Sequence, residues 1–191
     1  MPGFNINNFR SQLAGDGARP NLFNVSLSFP TIAADGSAAS QAISFMAKSS
    51  QLPGSTLGLV PIYYFGRELK FAGNRTFADW TLQIINDENF TIRKAIEEWM
   101  NGINSHQGNL RNSSFDSPTS YTVDGLVTQY GKDGTPLKTY RMVGMFPLDL
   151  APIDLDWGSN DNIEEFAVTF AYQWWESDTT DVAQAPTALG S

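Results

Sequence analysis

The chain has 191 residues, 41% hydrophobic and 13% aromatic, with no cysteine, one histidine and a formal net charge of −8. That length supports one domain with a sizeable core, and the lack of cysteine excludes disulfides and thiolate metal sites, which suits assembly in a reducing compartment. The acidic balance disfavours tight phosphate binding, which needs clustered Lys and Arg, and suits a surface that nucleic acid slides past.

Met1 to Arg10 lacks a basic stretch followed by an apolar run, so no secretory signal is expected. No segment approaches the roughly 18 apolar residues of a membrane span. The four Asn-x-Ser/Thr sequons, at Asn24, Asn74, Asn89 and Asn112, are then chance matches. Ile6, Phe9 and Leu13 fall at helical spacing and predict a short amphipathic arm over 4–14, within an N-terminal segment 1–16. Gly15, Gly17 and Pro20 end it. Phe23, Val25, Leu27 and Phe29 alternate with polar residues and predict a half-buried strand. The Ala/Ser/Gly-rich stretch 33–40 reads as a loop or hairpin tip. Ile43, Phe45 and Met46 open a strand, and 47–61 reads as a long irregular excursion.

Ile62 to Phe71 predicts a hairpin turning near Gly66-Arg67. Ala78, Trp80, Leu82 and Ile84 alternate with Asp79, Thr81 and Gln83 and predict a strand with Trp80 on its apolar face. Next comes a helix. Ile92, Ala95, Ile96, Trp99, Met100 and Ile103 form one apolar stripe, with Arg93, Lys94, Glu97, Glu98 and Asn101 opposite. Asn86, Asp87 and Asn89 are its candidate N-caps, and Asn101-Gly102 marks its end. Residues 104–120 read as a surface loop. Val123 to Tyr130 and Leu137 to Phe146 are strands joined by Gly131-Lys132-Asp133-Gly134. A last strand carries Phe166, Val168, Phe170, Tyr172 and Trp174. The composition after Ser177 predicts a flexible tail over 177–191. The sum is a single domain over 1–176, mainly β (α+β): two packed antiparallel sheets forming a β-sandwich or barrel, with one flanking α-helix.

Catalytic chemistry finds no constellation. His106 lies in a polar loop without cysteine, so neither a triad nor a His-based metal cluster can form around it. Gly125 to Lys132 approximates a phosphate loop, but its spacing is one residue too long and Asp133 stands where Ser or Thr belongs. It also joins strands, whereas a phosphate loop opens a helix. Asp154, Asp156, Asn160 and Glu165 partly echo a calcium loop. Gly158 and Ser159 occupy positions that need an oxygen ligand and a glycine, so a polar turn before the final strand is preferred. Glu97 and Glu98 lie on the wet face of the helix. Adjacent Trp174 and Trp175 must point to opposite sides of a strand, one inward and one outward. The expectation is no catalytic residue, no cofactor and no metal.

Three ordered blocks carry a family resemblance. They are Gly17-Ala18-Arg19-Pro20-Asn21-Leu22-Phe23, then Phe71 to Thr81 running on into Ile85-Asn86-Asp87-Glu88, then Leu155 to Ile163 followed by Phe166 to Phe170. In sequence and order they resemble tail tube proteins of T4-like contractile-tailed bacteriophages, over most of residues 17–176.

The resemblance implies a structural subunit of the inner tail tube. Hexameric rings would stack into a hollow tube inside a sheath and conduct viral DNA into the host. It implies as partners further copies of the chain, the tail sheath protein, and the baseplate and tail terminator proteins. Double-stranded DNA would pass through the lumen without specific binding. The location would be the virion tail, and the host cytoplasm during assembly. The 47–61 segment is the expected inter-ring contact, with Ser50, Gln51, Leu52, Pro53, Leu57 and Leu59 as its candidates. Alternatives are a tube protein of a type VI secretion or bacteriocin-like contractile system, and a monomeric ligand-binding β-sandwich with aromatics such as Trp175 lining a groove.

Overall fold

The computed structural model describes residues 6–13 and 17–180. In chain order these form α1 (Ile6–Gln12), β1 (Phe23–Leu27), α2 (Gly36–Met46), β2 (Ala47–Ser50), β3 (Ser55–Tyr64), β4 (Arg67–Phe77) and β5 (Trp80–Ile85). There follow α3 (Thr91–Ile103), α4 (Pro118–Tyr121), β6 (Val123–Tyr130), β7 (Pro136–Leu150), β8 (Glu165–Ala171) and β9 (Trp174–Ser177). All strand pairs are antiparallel.

The main sheet runs β1-β6-β7-β8-β5-β2, with β9 also on β7. Its organising element is β7. The first part pairs β6 on one edge and β9 on the other, and from Phe146 onward it pairs β8. Between the two regimes Val143 and Gly144 oppose the single residue Asp124. Gly144 has φ 66°, and its N–H donates to Asp124 Oδ1 at 3.1 Å. The other Asp124 oxygen accepts from Arg141. A bulge with a left-handed glycine bends the strand at this point, so one strand serves both halves of the sandwich.

The alternation seen in sequence sets the core. Trp80, Leu82 and Ile84 from β5 meet Phe166, Val168 and Phe170 from β8, all buried. The helix α3 lays Ile92, Ala95, Ile96 and Trp99 on that sheet. Trp80 and Trp99 flank Phe170 with ring centroids at 5.7 and 6.3 Å. The Trp99 indole N–H donates to the Tyr121 carbonyl at 2.7 Å, so the buried ring leaves no unpaired donor.

Four expectations are corrected. Residues 36–46 form a second helix, where 33–40 was read as a loop and 43–46 as strand. Its Ala39 and Ile43, one turn apart, are buried in the core beside α3, so two helices flank the sheet. Ser and Gly content hid it, although Ser40 Oγ returns its hydrogen bond to the Gly36 carbonyl within the helix. The excursion 47–61 is not irregular: β2, a four-residue link and the first half of β3 occupy it. The second central strand continues from Phe146 to Leu150. The last strand is broken at Tyr172-Gln173, where β8 ends and β9 crosses to the other half of the sandwich, ending at Ser177.

The N-terminal arm is helical over Ile6–Gln12 and exposed throughout. Residues 1–5 and 14–16 of the expected arm, and 181–191 of the expected tail, lie outside the described residues.

Candidate assembly surface

Residues 55–77 form a hairpin whose two strands, among the described residues, pair only with each other, as a sheet separate from the main one. Phe65 (φ 46°) and Gly66 (φ 78°) make its turn, and two consecutive positive φ values match the twist of a tight hairpin. The ten residues of β3 span roughly 30 Å and all are exposed, so the ribbon stands clear of the domain core. At the Gly58–Gly73 bulge the backbones approach closely: a Cβ on Gly73 would lie 3.1 Å from the Gly58 carbonyl.

Alternation divides the ribbon into two faces. Val60 pairs with Phe71 and Ile62 with Leu69, putting four apolar side chains on one face, continued by Tyr64. The other face carries Leu57, Leu59, Pro61 and Tyr63 with Arg75, Ala72, Lys70 and Glu68 opposite them. All the large apolar side chains from Leu57 to Phe71 are exposed, and Phe65 at the tip is 92% exposed. A two-stranded ribbon is marginal alone in water, and an exposed apolar ribbon invites association.

Both legs are fixed at the root. The Trp80 indole donates to the Gln51 carbonyl at 2.9 Å, and the Trp175 indole to the Gly54 carbonyl at 3.1 Å. On the outgoing leg Phe77 packs on Tyr172 with centroids at 6.2 Å. The Tyr172 hydroxyl is buried without a partner, and burial, aided by the Asp79 charge, pushes its pKa up and keeps it neutral. Trp175 faces inward over Tyr140 at 5.5 Å, while Trp174 faces out and donates to Glu176, the opposed orientation that adjacency requires.

The six sequence candidates fall in two places. Ser50, Gln51, Leu52 and Pro53 belong to the root: Ser50 pairs with Leu82 on the sheet edge, and Leu52 lines a cavity of about 140 Å³ with Pro20, Phe23 and Val127. Leu57 and Leu59 lie out on the ribbon. Sequence reasoning missed Val60, Ile62, Tyr63, Tyr64, Phe65, Leu69 and Phe71. The available signal was an apolar run occupying both alternating faces of a hairpin, more than one buried face explains.

A second exposed surface is the 151–164 connection between β7 and β8. Its ends are tied down: Ala151 N–H donates to the Ala167 carbonyl at 2.9 Å, and Asn86 binds the Glu164 backbone and carboxylate at 2.9 and 2.7 Å. Between them Asp156 accepts from the N–H groups of Gly158 and Ser159 at 3.0 and 3.1 Å, fixing a turn. Trp157 on that turn is 100% exposed, and Leu155 and Ile163 are exposed beside it.

The residues weighed for chemistry stay dispersed. His106 is in an exposed loop whose backbone is held by the Asn101 side chain. Gly131 to Thr135 is a hairpin turn stabilised by Asp133, which accepts from the Thr135 N–H and hydroxyl. Glu97 pairs with Arg93 on the helix surface, and Glu98 accepts from the Ala34 N–H at 2.7 Å. Among the described residues no three His, Cys, Asp or Glu side chains converge as a metal site would require.

The sequence model of the phage tail tube protein family matches residues 18–178. Tail tube protein gp19 of Enterobacteria phage T4 is 34% identical over 164 residues, covering 85% of this chain and 93% of that protein. The tail tube protein of Serratia phage KSP90 is 26% identical over 169 residues, covering 87% of this chain and 93% of its own length. In fold, the chain resembles a chain of the PVC sheath–tube complex of an extracellular contractile injection system, with TM-score 0.57, 18% identity, and 87% and 95% of the two chains covered. A chain of the anti-feeding prophage baseplate is comparable, with TM-score 0.58, 16% identity, and 84% and 94% covered.

Proposed function

The chain belongs to the phage tail tube protein family and is a tail tube subunit; on that premise we propose that copies of it close into hexameric rings, which stack through the β3–β4 hairpin into the hollow inner tube of a contractile tail. The observation that carries this is the hairpin itself: an isolated ribbon with apolar side chains on both faces, pinned at its root and left exposed by the described residues. Contact around a ring closes, whereas contact from ring to ring stays open and builds a filament. The same surface therefore has to meet a neighbouring copy, and burying it removes the exposed edges of the ribbon.

The role is structural, with no catalytic site and no cofactor. A net charge of −8 suits a conduit through which double-stranded DNA moves without adhering, because adhesion requires Lys and Arg to displace counterions. The sheath, baseplate and tail terminator are the further partners of such a tube, which would assemble in the host cytoplasm and reside in the virion tail. Tubes recovered from infected cells distinguish this role from protein delivery, since a phage conduit carries DNA.

The test replaces residues 57–75 with a short Gly/Ser link and follows assembly by negative-stain electron microscopy across a concentration series, with baseplate components added as nuclei. Folded protein without tubes is expected. Tubes of normal length from this variant would sink the proposal.

A further inference from the structure

We propose that the 151–164 loop is the receiving surface for the β3–β4 hairpin of a second copy of this chain; this rests on the reading of the hairpin as an inter-subunit contact. The first argument is charge. The hairpin carries Arg67, Lys70 and Arg75 against Glu68 alone, a cationic element in a chain of net charge −8. The loop carries Asp154, Asp156, Asp161 and Glu164 with no cation. The ion pairs found between described residues join Lys48 to Glu165, Arg93 to Glu97 and Arg141 to Asp124, so none uses a charge of either surface.

The second argument is apolar matching on a prepared platform. Leu155, Trp157 and Ile163 lie within nine residues of chain and are all exposed, whereas isolated surface apolar residues are the normal pattern. Trp157 is presented by a hydrogen-bonded turn on a loop anchored at both ends, so little ordering remains to oppose docking. An exposed Trp with acids around it matches the ribbon face that offers Leu57, Leu59, Pro61 and Tyr63 together with Lys70 and Arg75. Aromatic anchors inside a charged rim are the usual anatomy of an interface centre. The hairpin is a separate two-stranded sheet, and Leu155, Trp157 and Ile163 of the loop stay exposed, so the described chain leaves the loop uncovered for a neighbour.

Charge reversal with rescue tests the pairing. Asp154→Lys with Asp161→Lys alters the loop, and Arg67→Glu with Lys70→Glu alters the hairpin; all four side chains are exposed, and circular dichroism confirms that each variant folds. Each double variant should raise the concentration at which tubes appear by about tenfold or more, and combining all four changes should restore it. Normal assembly of the loop variant, or loss in both double variants without recovery in the combination, would overturn the pairing. The hairpin replacement separates the two ideas. If tubes need the hairpin but rescue fails, only the pairing is wrong; if tubes form without the hairpin, the proposed function itself is wrong.

Discussion

Asp87 caps α3 through Thr91: one carboxylate oxygen accepts the Thr91 N–H at 2.8 Å and the other the Thr91 hydroxyl at 2.7 Å. The residue just before the helix, Phe90, is left-handed at φ 57° and offers no side-chain cap, so Asp87 satisfies that end from one turn upstream. Burial is the largest single influence and raises the Asp87 pKa, but the two hydrogen bonds from Thr91, its own backbone N–H and the Lys94 charge together outweigh it and hold the group below its ordinary 3.8. Asp87→Ala should therefore cost about 1 kcal/mol at neutral pH. A depressed folded pKa means the stabilisation is full above the unfolded value and is lost as pH falls through the folded one. Urea melts of the two proteins at pH 7 and in steps below pH 4 should show the gap narrowing. A gap that widens in acid would show that the carboxylate does not act as the cap.

Trp80 is 2% exposed, stacks near Phe170 and also holds the Gln51 carbonyl. Trp80→Ala opens a large cavity at the junction of core and hairpin root and should cost about 3–5 kcal/mol, enough to unfold a domain of ordinary stability. A soluble Trp80→Ala protein with an unchanged cooperative urea transition would contradict the placement of this ring in the core.

The core was readable because burial imposes periodicity. Trp80-Leu82-Ile84 and Phe166-Val168-Phe170 alternate at period two, and the Ile92 to Ile103 stripe repeats at helical spacing. The helix α2 was not readable, since among its serines only Gly36, Ala39 and Ile43 are fully buried, with Ala42 and Met46 partly so, and tertiary packing decides its state. The hairpin was half readable. Gly66-Arg67 announced the turn, one residue beyond the Phe65-Gly66 pair that makes it, yet Gly58, Pro61 and Gly73 made its strands resemble irregular chain. A single-chain pattern assumes one wet face, and this ribbon carries apolar side chains on both. For the same reason sequence reasoning singled out Leu57 and Leu59 and not the larger exposed patch around Tyr64 and Phe71. The Trp157 turn appeared in sequence as an acidic cluster, because a lone exposed tryptophan has no period to reveal it.

The acidic surface makes a direct prediction about nucleic acid. Lys48, Arg93 and Arg141 are ion-paired, Arg111 and Lys138 lie over the rings of Tyr121 and Tyr140, and Arg67, Lys70 and Arg75 are on the hairpin that the proposed assembly would cover, in a chain of net charge −8. Assembled tubes should then fail to retard duplex DNA in a gel at physiological salt, and lowering the salt should bring only weak retardation. A clear shift by tubes at physiological salt would mean that a cationic surface faces solvent, and would count against a non-adhesive conduit.

The hairpin root offers a separation of folding from assembly. Trp175 touches both functions, packing on Tyr140 with its ring and holding the Gly54 carbonyl with its N–H at 3.1 Å. Trp175→Phe keeps an aromatic ring on Tyr140 and removes only the donor. The carbonyl it releases lies at an exposed site where water can replace the bond, so stability should fall by about 1 kcal/mol or less. Assembly should suffer more, because a ribbon of roughly 30 Å magnifies any freedom at its base into displacement at the Phe65 tip. The expected result is a near-normal urea midpoint, together with tubes that appear only at several-fold higher protein concentration. Equal losses in both measurements would make Trp175 an ordinary core residue, whereas unchanged assembly would show that the hairpin is aimed by Trp80 and the Phe77–Tyr172 contact without it.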